Sequence, residues 1–229
     1  MNKFNMTLLL VGFSLLSFAQ IANKSGSVGT NNVQRLPFEE RKISGDTEAR
    51  DGSPYTDGDT FKKVSISGYS ANVPDLRYNA FSDEMEFRNG KDIYSANKEN
   101  GQIIKFSDGK VYECLNYNFE GKDKSGYLVQ LVNNPEKYSL YKREKVELLK
   151  GEKSPNGITK DRNDYYAKEK DAYIIRKNGA FTRMAKNKKE LLNDFPVKSD
   201  EVEKFIKEKQ INFKSDADLI KLVTYMNTL

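Results

Sequence analysis

Histidine and tryptophan are absent from this chain of 229 residues, and cysteine occurs once, at Cys114. Each absence closes a class of chemistry. Without histidine there is no Ser-His-Asp or Cys-His nucleophilic scheme and no zinc site built from the usual cysteine and histidine ligands. A single cysteine forms no disulfide within the chain, so a packed core must supply the stability. The phosphate-binding runs Gly-x-x-x-x-Gly-Lys-Ser/Thr and Gly-x-Gly-x-x-Gly are missing as well. No sign of charge dominates: 38 basic residues against 33 acidic ones give +5, with the two signs interspersed. That balance favours solubility and argues against nucleic acid as a partner. No cofactor is implied.

What is present begins with an export signal. Lys3 supplies a short positive start, and Met6 to Phe18 is an apolar run broken only by Thr7, Gly12, Ser14 and Ser17. The run is shorter than the roughly 20 residues a membrane helix needs. Ser17-Phe18-Ala19 has the small-x-small form of a cleavage site, which places the cut between Ala19 and Gln20. No cysteine lies near the cut to take a lipid. The expected location is therefore periplasmic or secreted, with no transmembrane span in the mature chain. An exported protein meets an oxidising compartment. Cys114 sits mid-strand in Val111-Tyr112-Glu113-Cys114-Leu115 and reads as a small buried side chain.

Residues 20–51 are rich in Ser, Gly, Asn and Thr and read as a flexible polar leader, with Leu36-Pro37-Phe38 as a local anchor. Order is expected from the Gly52-Ser53-Pro54-Tyr55 turn onward. An antiparallel β domain is expected over residues 52–186, because short alternating runs recur between turn signals. The runs are Phe61–Ser67, Glu84–Phe87, Asp92–Ala96, Gln102–Phe106, Val111–Phe119, Gly126–Val132, Tyr138–Leu149, Ala172–Lys177 and Ala180–Met184. Asn89-Gly90, Asp108-Gly109 and Asn178-Gly179 are hairpin signals, since a type I′ turn needs φ > 0 at both central residues. Tyr138–Leu149 has a charged middle, Lys142 to Lys145, which suits an edge strand or an exposed bend. The period then changes. Residues 187–229 read as a tail of three short helices capped by Asn187, Ser199 and Ser215, packed on the β domain because each is marginal alone.

Candidate chemistry is sparse. Asp83, Glu84 and Glu86 cluster near Tyr78, and paired carboxylates can hydrolyse glycosides. Glu84 and Glu86, however, read as a solvated strand face. Asp57-Gly58-Asp59 lacks the calcium-loop spacing and reads as a turn. Tyrosines beside turns suit a peptide- or glycan-binding surface, and they also fill the rim of a core. The candidate binding residues are Tyr78 with Arg77 beside it, and Tyr165 and Tyr166.

Gly52-Ser53-Pro54-Tyr55, the stretch from Leu76 to Phe87, and the tail from Asp171 through Lys188-Lys189-Glu190-Leu191-Leu192 to Leu222 resemble an uncharacterised group of exported bacterial proteins with a β-meander and a short helical tail. The resemblance implies envelope location and one recurring domain, and carries no active site. The fold expected is α+β: an antiparallel meander or partly closed roll with a C-terminal helical tail. The function expected is a non-enzymatic binding module of the bacterial envelope or secretome, with a protein or glycan as partner. The alternatives are a carboxylate-dependent hydrolase using Asp83 or Glu86, and an inhibitor or immunity-type protein.

Overall fold

A computed structural model describes residues 40–43, 49–69, 73–153, 161–195 and 198–229. The expected export signal, its expected cleavage site and Leu36-Pro37-Phe38 lie outside the described residues. Among these residues the fold is antiparallel β with three short helices at the end, in the α+β class. Seven strands form the main sheet in the order β13-β12-β9-β8-β7-β6-β2. They are β2 (Val64–Ile66), β6 (Ile103–Phe106), β7 (Val111–Phe119), β8 (Lys122–Val132), β9 (Tyr138–Arg143), β12 (Ala172–Lys177) and β13 (Ala180–Arg183). From β6 to β9 each strand pairs with the next in sequence, which is a meander. A second sheet has the order β1-β5-β4-β3, from Glu40–Ile43, Asp92–Ala96, Glu84–Asn89 and Leu76–Asn79. A two-stranded ribbon joins β10 (Val146–Leu149) to β11 (Tyr165–Lys168).

The sheet does not close into a roll. β13 and β2 remain its edges. The β12–β13 hairpin does curl back toward β7, so that Phe181 lies 6.3 Å from the Tyr117 ring and 6.1 Å from the Tyr141 ring. Arg183 pairs with Glu120 at the same end. These contacts bury Leu115, Tyr117, Phe119, Leu128, Tyr141 and Ile174 on one face. Glu113, which interrupts that face in the sequence, is also buried and accepts from Gln130 Nε2 and the Tyr141 hydroxyl, both at 2.9 Å. The other face alternates with it. Its Ile104, Tyr112, Cys114, Tyr127 and Val129 pack with Leu76, Met85 and Phe87 of the second sheet. Farther along the same face, Leu140 and Ile175 pack with the tail helices. Cys114 is fully buried, and burial above all pushes its thiol up to about 11. A thiol reagent is therefore expected to leave the native protein unlabelled and to modify it only after denaturation, as intact-mass measurement would read.

Several local expectations change. Glu40–Ile43, inside the expected leader, is a strand in register with β5 from Glu40↔Ala96 to Ile43↔Ile93. Tyr138–Leu149 is two strands, broken at Glu144-Lys145. Its charged middle lies neither at an edge nor in an exposed bend, because β9 runs between β8 and β12 and both Lys142 and Glu144 are buried. Tyr165–Lys168 is a strand that its polar surroundings conceal. Asn178-Gly179 forms the turn expected of it, with φ of 49° and 80°. The first hairpin is shifted by one residue. Asn89 pairs with Asp92, so the loop is Gly90-Lys91, and only Gly90 has positive φ. That pattern fits a Gly-led type II′ turn.

The tail helices are α1 (Lys188–Asp194), α2 (Ser199–Lys209) and α3 (Asp216–Met226). Asn187 caps α1 through Glu190 N–H, and Glu190 returns a bond to Lys186 N–H. Ser215 caps α3 through Asp218 N–H. Ser199 does not cap α2. Lys198 occupies that position in a left-handed conformation and makes no side-chain cap bond. Leu191, Val202, Ile206, Leu219, Leu222, Val223 and Met226 turn inward, and Phe205 stacks on Tyr225 at 4.0 Å. Ser215→Ala is expected to cost about 1 kcal/mol, the usual worth of a cap. Ser199→Ala should stay within about 0.5 kcal/mol, as surface changes do. Paired urea titrations of the two variants would check the contrast.

Candidate functional site

The main sheet splits at one place. The β8–β9 register ends at Val129↔Lys142, while β8 goes on pairing with β7 as far as Lys122. The turn between β3 and β4 enters the gap. Asn79 builds this turn, its Oδ1 accepting from Phe81 N–H at 3.0 Å and Ser82 N–H at 3.1 Å. Asp83 ends it with φ of 57°, a left-handed conformation that Asp tolerates better than most residues. Asp83 Oδ1 accepts from Tyr127 N–H at 3.1 Å, standing in for a ladder partner, and from the Tyr78 hydroxyl at 2.8 Å. Its Oδ2 receives Lys98 Nζ at 2.6 Å. On the opposite bank, Val146 N–H donates to Ala80 O at 3.2 Å.

Between the banks lies a cleft of about 220 Å³. Tyr78, Tyr117 and Tyr127 form its walls, with Asp83 and Glu144. Lys124, Arg143 and Lys145 stand round it, and Phe81 lies at its lip, 42% exposed. The Phe81 and Tyr166 rings make a T-shaped contact, with centroids 5.3 Å apart. The cations differ in how far they are neutralised. Lys145 binds Glu147 at 3.1 Å and Glu169 at 2.8 Å. Arg143 reaches Glu169 only at 4.0 Å. Among the described residues no carboxylate or hydrogen-bond acceptor holds the Lys124 ammonium.

The carboxylates, by contrast, are engaged. Glu144 is 5% exposed. Its Oε2 accepts from Thr56 Oγ1 at 3.0 Å, Lys110 Nζ at 2.8 Å and the Tyr112 hydroxyl at 3.1 Å. Its Oε1 lies 3.3 Å from Lys142 Nζ. Burial alone would raise its pKa, but Lys110 and Lys142 outweigh burial and hold the carboxyl below its ordinary range. Tyr78 is pushed the other way, far above the ordinary phenol, first by burial and then by the Asp83 charge. A general acid or base works best with a proton affinity near the working pH. Glu144 stays charged and Tyr78 stays protonated at neutrality, so neither suits that role.

The four residues expected to bind do not converge. Tyr78 is in the cleft, but it is buried and bonded to Asp83. Tyr166 reaches the lip through Phe81. Tyr165 alternates to the other side of β11, where it pairs with Leu149, and both are exposed. Arg77 belongs to a separate cluster. It stacks 4.2 Å from the Tyr55 ring centroid and 4.4 Å from that of Phe61, and its Nε donates to Glu86 at 2.7 Å. Glu86 is 2% exposed, which overturns the solvated strand face expected of it. It also accepts from the Tyr55 hydroxyl and Asn79 Nδ2. The space between this cluster and Lys110–Tyr112 amounts to about 10 Å³, room for a single water at most. Phe81, Lys124 and Arg143 carried no sequence signal of a site, because a split between two strands is a property of register.

No protein-family model matches this chain, no curated protein is similar to it, and no solved structure matches its fold. Among the described residues no helix is long and apolar enough to cross a membrane.

Proposed function

We propose that the chain is an exported, non-enzymatic binding module of the cell envelope or secretome, and that the cleft takes an acidic glycan. The observation that carries this reading is the pairing of a partly exposed aromatic ring, Phe81, with the unneutralised Lys124 and the weakly paired Arg143 across one polar cleft. A pyranose ring has an apolar C–H face that packs on an aromatic ring, and a uronic acid adds a carboxylate for a cation. The cleft offers both. Export rests on Lys3, the Met6–Phe18 run and the Ser17-Phe18-Ala19 site. The non-enzymatic part rests on carboxylates that are consumed internally. Glu86 is sealed by three donors and Glu144 by four, which disfavours the hydrolase reading.

Binding of uronic-acid oligosaccharides and of their neutral counterparts to the purified full chain, by calorimetry, tests the reading. The acidic series is expected to bind and the neutral one to bind at least about tenfold more weakly, since a hydrogen bond to a charged group contributes roughly 1.5–3 kcal/mol. Lys124→Glu and Phe81→Ala should each weaken the acidic series by a similar factor, and both residues are accessible enough for the fold to survive. Equal affinity for both series, or variants with unchanged affinity, would sink the proposal. Release of shortened sugars would replace it with the hydrolase.

A further inference from the structure

A second cleft, of about 270 Å³, lies where the tail helices meet β9 and β12. Its lining divides by chemistry. Tyr138, Phe195, Val202, Met226 and Leu229 give it an apolar floor, and Lys137, Lys177 and Lys198 surround that floor with Glu136 as the one acidic side chain of the lining. Lys177 is placed by register. It pairs with Tyr138 and lies two residues beyond Ile175 on the same face of β12, and the Ile175 side chain is in the tail core, so Lys177 stands on the helix side of the sheet. Its ammonium lies 5.4 Å from the centroid of the Tyr138 ring and 5.7 Å from that of Phe195. The stem thus covers apolar surface while the charged head stays at the mouth, as long cationic side chains do. Among the described residues no carboxylate pairs with it. Lys137 donates to Asn227 O at 2.8 Å and Lys198 to Leu229 O at 2.9 Å.

With Lys137 and Lys198 held by backbone oxygens, Lys177 is the cation left over an apolar floor, an arrangement complementary to an anion that carries a hydrocarbon chain. We infer that this cleft binds a medium-chain acyl carboxylate, with its chain on Tyr138, Phe195, Val202 and Met226 and its head group at Lys177. The size agrees. The space equals that of about nine waters at roughly 30 Å³ each, near the lower end of the range for ligand pockets. A chain of about eight carbons fills it.

Calorimetric titration of the full chain with octanoate, hexanoate and 1-octanol tests this. Octanoate is expected to bind at least about tenfold more tightly than octanol, and about fifteenfold more tightly than hexanoate, since each of the two extra methylenes removed from water is worth roughly fourfold. Lys177→Glu should weaken octanoate about tenfold and leave octanol unchanged. Lys177 is exposed, so the variant's circular dichroism and melting curve should match the parent. Three results would overturn the inference: no heat with octanoate at millimolar concentration, equal affinity for octanoate and octanol, or octanoate binding that Lys177→Glu leaves intact.

Discussion

Replacing Glu144 with alanine is expected to destabilise the protein by about 3 kcal/mol, the low end of the roughly 3–5 kcal/mol seen when one partner of a buried ion pair is removed. Three hydrogen-bond donors converge on Oε2 and Lys142 lies beside Oε1. Alanine leaves two largely buried ammonium groups and the Tyr112 hydroxyl without their acceptor. The loss stays at the low end because Lys110 keeps Asp57 and Lys142 keeps Asp216 at 2.7 Å. The damage should spread to the tail, since Lys142 links Glu144 to Asp216 in the first turn of α3, and Asp216 also accepts from the Tyr173 hydroxyl at 2.6 Å. Urea unfolding followed by circular dichroism measures the total. Hydrogen exchange of α3 measures the spread.

The same carboxylate gives a pH dependence. Its folded pKa is held below the unfolded value near 4.5. Folding therefore favours the charged form, and the stabilisation is complete above the unfolded value. It is lost as the pH falls through the unfolded value to the folded one. Asp216, which Lys142 and Tyr173 hold below its ordinary range against the opposing effect of burial, acts in the same direction. Glu144→Gln, which keeps the shape and loses the charge, should flatten the acid limb of stability against pH without abolishing it.

Gly126→Ala is the second large effect, at about 2–3 kcal/mol. A Cβ at this position overlaps the Asp83 carboxylate. That carboxylate cannot swing aside freely, because Tyr78, Tyr127 N–H and Lys98 hold both of its oxygens. Moving it forfeits those bonds, and hydrogen bonds to a charged group contribute roughly 1.5–3 kcal/mol each. The cost thus comes from the same contacts that Asp83→Ala removes. The two substitutions should be strongly non-additive, with the double variant about as stable as Asp83→Ala alone and a coupling of about 2–3 kcal/mol. Additive losses in a denaturation cycle would mean that Asp83 does not plug the split in the sheet.

Much of the architecture was legible because it is local. The alternation of Val111–Phe119 fixed β7, Asn178-Gly179 fixed its hairpin, and Asn187 with Glu190 fixed a helix start. What stayed hidden depends on partners far along the chain. Lys142 and Glu144 read as exposed charges, and their burial is tolerable only because Thr56, Lys110 and Asp216 arrive from three other places. Glu86 followed the same logic, with Arg77 and Tyr55 supplying its donors. The break at Arg143 was invisible because neither glycine nor proline marks it. The cleft exists only because of that break, so Phe81, Lys124 and Arg143 had no motif to announce them.

The central claim is that an acidic glycan occupies the cleft where β9 leaves β8. Backbone amide NMR of the isotope-labelled chain, titrated with a uronic-acid oligosaccharide, tests it most directly. The account predicts saturable shifts confined to Ala80–Asp83, Lys124–Tyr127 and Arg143–Lys145, with Arg77 and the tail helices unmoved. Shifts centred on Arg77 and Phe61, shifts scattered over surface lysines without saturation, or no shifts at all would contradict it.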